Sequence, residues 1–234
     1  MQIKNLPLQR MNHLLLMDTS TQNCSVAIGN DDAILFQKFQ NDGFNHAAIL
    51  PSFVQACLQA TNLQLAQINV VVVGIGPGSY TGLRVGLSFA KALCTALKIP
   101  LITISTLEMM ANGMIQICEN ENAVYVPLLD ARRMEVYTAA YNNELEIVEE
   151  PKAMIVTENS WQELIAENKK IIFGGPGVVK TKTVLSHEKV NFLTEEICEA
   201  KYLFSIALKK LKHHEFSDVA YSEPFYLKEF NERI

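Results

Sequence analysis

Charge, aromatic side chains and ordered cysteine spacing are all scarce in this 234-residue chain. Charged residues make up 19% and hydrophobic residues 49%, a balance that excludes a disordered segment and fits a compact globular protein. The five cysteines, Cys24, Cys57, Cys94, Cys118 and Cys198, are scattered, odd in number and lack a C-x-x-C pair. That excludes a disulfide framework or zinc ribbon and reads as reduced core residues of a cytosolic protein. No apolar run approaches the roughly 20 residues that cross a bilayer, and Leu14 to Met17 is too short for the core of a signal peptide. The expected location is therefore cytoplasmic, with no membrane partner. A formal net charge of -5 lacks the overall basic footprint of a nucleic-acid binder, so in an RNA process a partner is expected to hold the RNA. Met11 directly precedes the first predicted strand, so either Met1 or Met11 serves as the native start, and residues 1–10 read as an unstructured extension.

Against this background one segment stands out. Val70 to Gly86 reads as a buried strand running through a glycine turn into a helix. Glycine at 74, 76, 78, 82 and 86 implies positive φ or close backbone approach, often by a phosphate or another chain. Three phosphate or nucleophile motifs fail here. A Walker A loop needs Gly-Lys-Ser/Thr where Gly82 is followed by Leu83 and Arg84. The dinucleotide fingerprint, counted from Gly76, meets Thr81 in place of its third glycine. An esterase elbow around Ser79 would need glycines at Pro77 and Thr81. The segment instead specifies geometry. Ser79 or Thr81 caps a helix beginning near Gly82 and stopping before Ile99-Pro100, and Gly82, Gly86, Ala90 and Cys94 form a ridge of small residues for close packing. Arg84 opposes the helix dipole in the first turn, which calls for a carboxylate in a structural salt bridge or for an anionic ligand.

The rest of the chain is read from its periodicity. Leu14 to Asp18, Ser25 to Gly29 and Ile34 to Phe39 read as a meander, His46 to Ala60 as a helix, and Leu101 to Ile104 as a strand. Strands followed by a β-α-β unit predict a mixed sheet flanked by helices. A second unit begins near Ser105, whose Ser-Thr-Leu-Glu opens a helix through Ile117. It continues with strands over Val124 to Asp130 and Glu135 to Tyr141. Asp18-Thr19-Ser20 and Asp130-Ala131-Arg132 each follow an apolar strand and precede a returning one, either as plain hairpins or as a pseudo-repeat of two halves facing across a cleft. Further on are predicted a helix containing Trp161, a strand Lys170 to Phe173, the loop Gly174-Gly175-Pro176-Gly177, and a helix from about Ala200 to His213. That glycine loop serves either as a turn or as an adenosine seat. The apolar Phe225, Tyr226 and Leu227 are expected to pack back on the body.

Several of these stretches together resemble one family. Met17 to Ser20, His46 to Pro51, Gly76 to Gly86 with Ala90 to Leu93, Ser105 to Glu108, Leu129 to Arg132 and Tyr226 to Lys228 look like the TsaB (YeaZ) family from about Met11 onward. The glycine segment with its Leu83-Arg84 carries most of that specificity. The resemblance implies an α/β, actin-like ASKHA fold of two related halves, each a mixed sheet flanked by helices, here residues 1–104 and 105–234. It also implies a non-catalytic role in forming threonylcarbamoyladenosine beside the tRNA anticodon. In that role a TsaD-like paralogue performs the transfer, a TsaE-like protein is the ATPase, and tRNA is met only indirectly. The family's helices imply a partner interface at His46, Leu50, Phe53, Val54, Gly82, Arg84, Gly86 and Ala90. The isolated chain would form a homodimer through the same helices, and Gly86→Arg would abolish pairing with the fold intact. The chain departs from the family pattern at Ala47-Ala48, where a small residue and a glutamate are usual.

Other functions compete with this reading. The two-histidine helical metal site of TsaD-like enzymes is not in the sequence: His46 is followed four residues on by Leu50, and the adjacent His213 and His214 point to different sides of a helix. His46 reads as a cap, interface or packing residue. No cofactor is expected to be required by this chain, with ATP or ADP and magnesium belonging to the complex. The alternative is a phosphotransferase of the same fold, with Asp18, Thr19, Ser20 and Asp130 near phosphate or magnesium and Gly174, Gly175 and Gly177 near adenine. Protease activity finds neither a metal pair nor a serine triad.

Overall fold

Apolar runs become strands here where both faces of a sheet are covered. The computed structural model describes residues 11–41, 45–118, 122–167 and 170–228, so the expected extension over 1–10 lies outside the described residues. In β1 (Leu14–Asp18) side chains alternate between two cores: Leu14 and Leu16 enter one, Leu15 and Met17 the other. β4 (Val70–Gly74) divides its valines in the same way, which is why both read as unbroken hydrophobic runs.

The first sheet adds β2 (Cys24–Gly29), β3 (Ile34–Gln40) and β5 (Leu101–Ile104) in the order β3-β2-β1-β4-β5. The β1–β2 and β2–β3 pairs are antiparallel, and the β1–β4 and β4–β5 pairs are parallel. Its outer face carries α1 (His46–Ala60) and α2 (Tyr80–Leu97). After α3 (Thr106–Cys118) a second sheet is built from β6 (Val124–Asp130), β7 (Glu135–Tyr141), β8 (Ile147–Ile155), β9 (Ile171–Gly174) and β10 (Val190–Phe192). Its order, β8-β7-β6-β9-β10, repeats the first sheet strand for strand, with the same antiparallel and parallel pairs. The fold is the actin-like α/β fold of two related halves, and Asp18 and Asp130 end corresponding central strands.

The short α4 (Gln162–Glu167) and α5 (Val178–Thr181) follow β8 and β9, and α6 (Phe204–Lys212) ends the helical part. The largest core lies between the sheets and is filled by Met109, Met110 and Met114 of α3, Tyr125 and residues 197–207. Two local expectations are corrected, and one strand the sequence pattern did not show is added. The second helix starts at Tyr80 because Ser79 is its N-cap, accepting from Gly82 N at 3.2 Å. Trp161 precedes α4 in a positive-φ conformation instead of lying within a helix. Residues 147–155 form a strand despite Pro151, which an edge strand tolerates because its N–H would face no partner. Among the described residues no helix is long and apolar enough to cross a membrane.

Candidate functional site

The turn after β1 is where an apolar strand delivers polar side chains to the junction of the two halves. Asp18, Thr19 and Ser20 are all buried. Asp18 Oδ2 accepts from Ser20 Oγ at 3.0 Å and from Ser20 N at 3.4 Å, while Oδ1 faces Gly74 and has no hydrogen-bond partner among the described residues. Desolvation pushes the Asp18 carboxyl up to about 7, with the Glu196 charge adding to it and the Ser20 hydrogen bonds opposing it. A strap from the C-terminal half closes over this turn. Asn23 Nδ2 donates to Cys198 O at 2.8 Å, Ala200 N to Ser25 Oγ at 2.8 Å, and Gln37 Nε2 to Glu199 Oε2 at 2.9 Å.

The glycine segment meets the same turn. Ser79 N donates to Ser20 O at 2.7 Å, and Thr19 Oγ1 donates to Gly82 O at 2.8 Å. A Cβ at Gly82 would strike Thr19 O, and one at Gly86 would strike Thr19 Oγ1. The ridge of small residues therefore does serve close approach, but its occupant is the chain's own turn. This corrects the interface expectation: Leu50, Phe53, Val54, Gly82, Gly86 and Ala90 face inward onto the first sheet and are not available to a partner. Apolar periodicity marks the buried face of an amphipathic helix, and here the sheet of the same chain covers it. Gly86→Arg accordingly cannot leave the fold intact. His46 is buried and its Nε2 lies 2.9 Å from Thr21 O, joining α1 to the β1–β2 turn. Of the eight positions, Arg84 is exposed, and among the described residues its partner is neither carboxylate nor anion. Its guanidinium carbon lies 3.9 Å from the Tyr80 ring centre, and Nε donates to Tyr226 Oη at 3.2 Å.

In the second half Asp130 is exposed and ion-paired with Lys180 Nζ at 2.9 Å, and it also accepts from Arg132 N at 2.7 Å. Lys180, from a four-residue helix fifty positions away, had no sequence signal. The Gly174–Gly177 loop is packed from behind: a Cβ at Gly175 would strike Met110, and Gly177 N donates to Leu128 O at 2.8 Å. These residues do not fit a magnesium nucleotide. Asp18 is sealed, Asp130 is neutralised, and the glycines are spent on packing against Met110, Leu128 and Val136. Among the described residues no group of three or more His, Cys, Asp or Glu is placed to hold a metal ion.

Comparison with known proteins places this geometry among relatives. The family model described as TsaD, tRNA N6-adenosine threonylcarbamoyltransferase, matches residues 43–229. The tRNA threonylcarbamoyladenosine biosynthesis protein TsaB of Escherichia coli (strain K12) is 35% identical over 131 residues, 56% of this chain and 55% of that protein. The protein of the same name from Bacillus subtilis (strain 168) is 30% identical over 167 residues, 69% of this chain and 70% of that protein. The chain thus spans little more than half of one curated relative and just over two thirds of the other. Among solved structures, YeaZ from Pseudomonas aeruginosa superposes with a TM-score of 0.77 at 23% identity, covering 92% of this chain and all of that one. An uncharacterized protein with similarity to peptidase YEAZ, also from Pseudomonas aeruginosa, gives a TM-score of 0.81 at 23% identity, covering 93% and 100%. At that identity both bear on the fold alone.

Proposed function

Because this chain belongs to the TsaB (YeaZ) family, we propose that it serves the biosynthesis of threonylcarbamoyladenosine in tRNA as a non-catalytic subunit paired with a TsaD-like transferase. The observation that carries this reading is the closure of the Asp18 turn. The one carboxylate that ends the central strand of the first half is fully buried, held by Ser20 and covered by the 196–200 strap. A general base or metal ligand must reach its substrate, and this one reaches only protein. The same closure argues against a phosphotransferase, in which both Asp18 and Asp130 would have to be free.

The partner then docks on the outward faces of the two helices on the first sheet. On α1 these are Ala47, Ala48, Pro51 and Ser52, short side chains that let another helix approach, with Gln55 beside them; on α2 they include Ser88. A TsaE-like ATPase joins that assembly, and its ATP or ADP and magnesium are held outside this chain. Work on cytoplasmic tRNA fits a chain without an apolar membrane helix among its described residues.

Reconstitution tests the role. This chain, a TsaD-like protein and a TsaE-like protein are combined with tRNA, and transfer of the threonylcarbamoyl group is measured with each component omitted in turn. Transfer should require both this chain and the TsaD-like protein. Full transfer without this chain overturns the accessory role, and transfer by this chain without the TsaD-like protein overturns the non-catalytic one.

A further inference from the structure

The net charge of -5 conceals a local excess of the opposite sign at the hairpin joining β6 to β7. The connection, residues 131–134, exposes Arg132 and Arg133, whose φ values are 69° and 45°. Left-handed backbone is costly for a residue with a Cβ, and hairpin connections favour glycine or asparagine there. Glu135 N donates to Arg132 O at 3.0 Å, which puts Arg133 at a turn position suited to glycine. Two consecutive arginines are thus a poor choice for the turn itself, and their value lies in what they present.

Among the described residues, what they present is unneutralised. The described carboxylates nearby are already taken: Asp130 by Lys180 and Glu135 by Lys228. The side chains of Arg132 and Arg133 have no hydrogen bond, ion pair or ring contact with a described residue. The segment that carries Lys228 to this hairpin also carries Tyr226 to Arg84, which is held flat against Tyr80 and bonded through Nε alone. Its terminal nitrogens have no partner among the described residues. Three guanidinium groups are therefore linked into one strip through residues 226–228, and one of them is fixed in orientation before any ligand arrives.

We propose that Arg84, Arg132 and Arg133 form a phosphodiester-binding patch that contacts the backbone of tRNA directly. Guanidinium suits this ligand, since its planar fork matches phosphate oxygens and it stays charged at any physiological pH. An exposed hairpin tip suits the outside of a folded RNA better than it suits a small nucleotide, which needs a concave site. The patch departs from the expectation that tRNA is met only through partners, because local charge, and not net charge, decides phosphate contact. The inference rests on the proposed role only in naming tRNA as the polyanion.

The test is fluorescence anisotropy of a labelled, unmodified tRNA transcript titrated with the full chain alone at several salt concentrations. The double variant Arg132→Asn, Arg133→Gly removes both charges while giving the backbone the residues it favours. It should melt no lower than the unsubstituted chain, bind tRNA at least about tenfold more weakly, and lower the slope of log affinity against log salt by about two. Arg84→Gln should weaken binding severalfold, whereas the double variant Lys209→Gln, Lys212→Gln, on the exposed side of α6, should leave it unchanged. Undetectable tRNA binding by the unsubstituted chain, or binding indifferent to the hairpin substitutions, overturns the proposal. Reconstitution with the partner proteins reports on the accessory role separately, because this titration contains none of them.

Discussion

Burial pushes the Asp18 carboxyl up to about 7, and that single shift sets a pH dependence for the whole chain. An unfolded aspartate titrates near 3.9, so between about pH 4 and 7 the folded state holds a proton that the unfolded state has released. Stability from this residue is complete below that window, falls as pH rises through it and is flat above it. The span corresponds to roughly 4 kcal/mol at most. Asp18→Asn keeps an acceptor for Ser20 and cannot ionise, so it should be free of this slope. Urea denaturation should show the variant gaining a few kcal/mol relative to the unsubstituted chain between pH 5 and pH 8. A difference that is the same at both pH values would sink this account. From the sequence Asp18 was legible as a strand-ending aspartate in a turn. Its burial was not, because Glu196, Cys198 and Ala200, which close over it, lie about 180 positions away.

At the level of elements, α2 shows how a correctly read helix can be assigned the wrong face. Its cap at Ser79, its small-residue ridge and its end near Lys98 all follow from local rules. The occupant of the ridge does not, since any backbone that needs close approach selects the same glycines. Gly86 abuts Thr19 Oγ1, so Gly86→Arg should cost at least about 3 kcal/mol and leave little folded protein. The outward substitutions Ala48→Arg and Ser52→Arg on α1 should instead keep the melting temperature within a few degrees and abolish co-purification with a TsaD-like partner. Melting curves beside a pull-down separate the two outcomes. A stable Gly86→Arg protein, or undiminished pairing of the α1 variants, would contradict this assignment of faces. Elements that the sequence pattern missed, β8 with its internal proline and the three-residue β10, are edges of the second sheet, where periodicity is weakest.

Across the whole molecule the C-terminal segment acts as a strap. Ser217 N donates to Leu101 O at 2.8 Å, covering edge strand β5. Lys91 Nζ holds Ala220 O at 2.8 Å and Ser222 O at 3.1 Å, and Phe225 N donates to Ile75 O at 2.7 Å. Tyr226 then packs on Tyr80, and Lys228 pairs with Glu135 of the other half. An uncovered sheet edge is a template for aggregation, so deleting residues 216–234 should lower the melting temperature and produce soluble aggregates detectable by light scattering. Lys91→Ala should cost only about 1–2 kcal/mol in chemical denaturation, because it frees two carbonyls and leaves the edge covered. A truncated chain that stays monomeric with unchanged melting would show that the strap is dispensable.

The sequence by itself determined the local pattern. Two apolar strands ending in aspartate, each followed by a returning strand, fit either plain hairpins or two similar halves, and the glycine segment with Leu83-Arg84 points to one family. These signals are local, carried by period, caps and turn chemistry within a few residues. Only the tertiary structure decided which groups are free to act. Burial of Asp18, neutralisation of Asp130 by Lys180, the filling of the Gly174–Gly177 loop and the link from Arg84 through residues 226–228 to the β6–β7 hairpin all join residues tens of positions apart. Solvent access and electrostatic pairing depend on those distant neighbours, and no spacing along the chain encodes them.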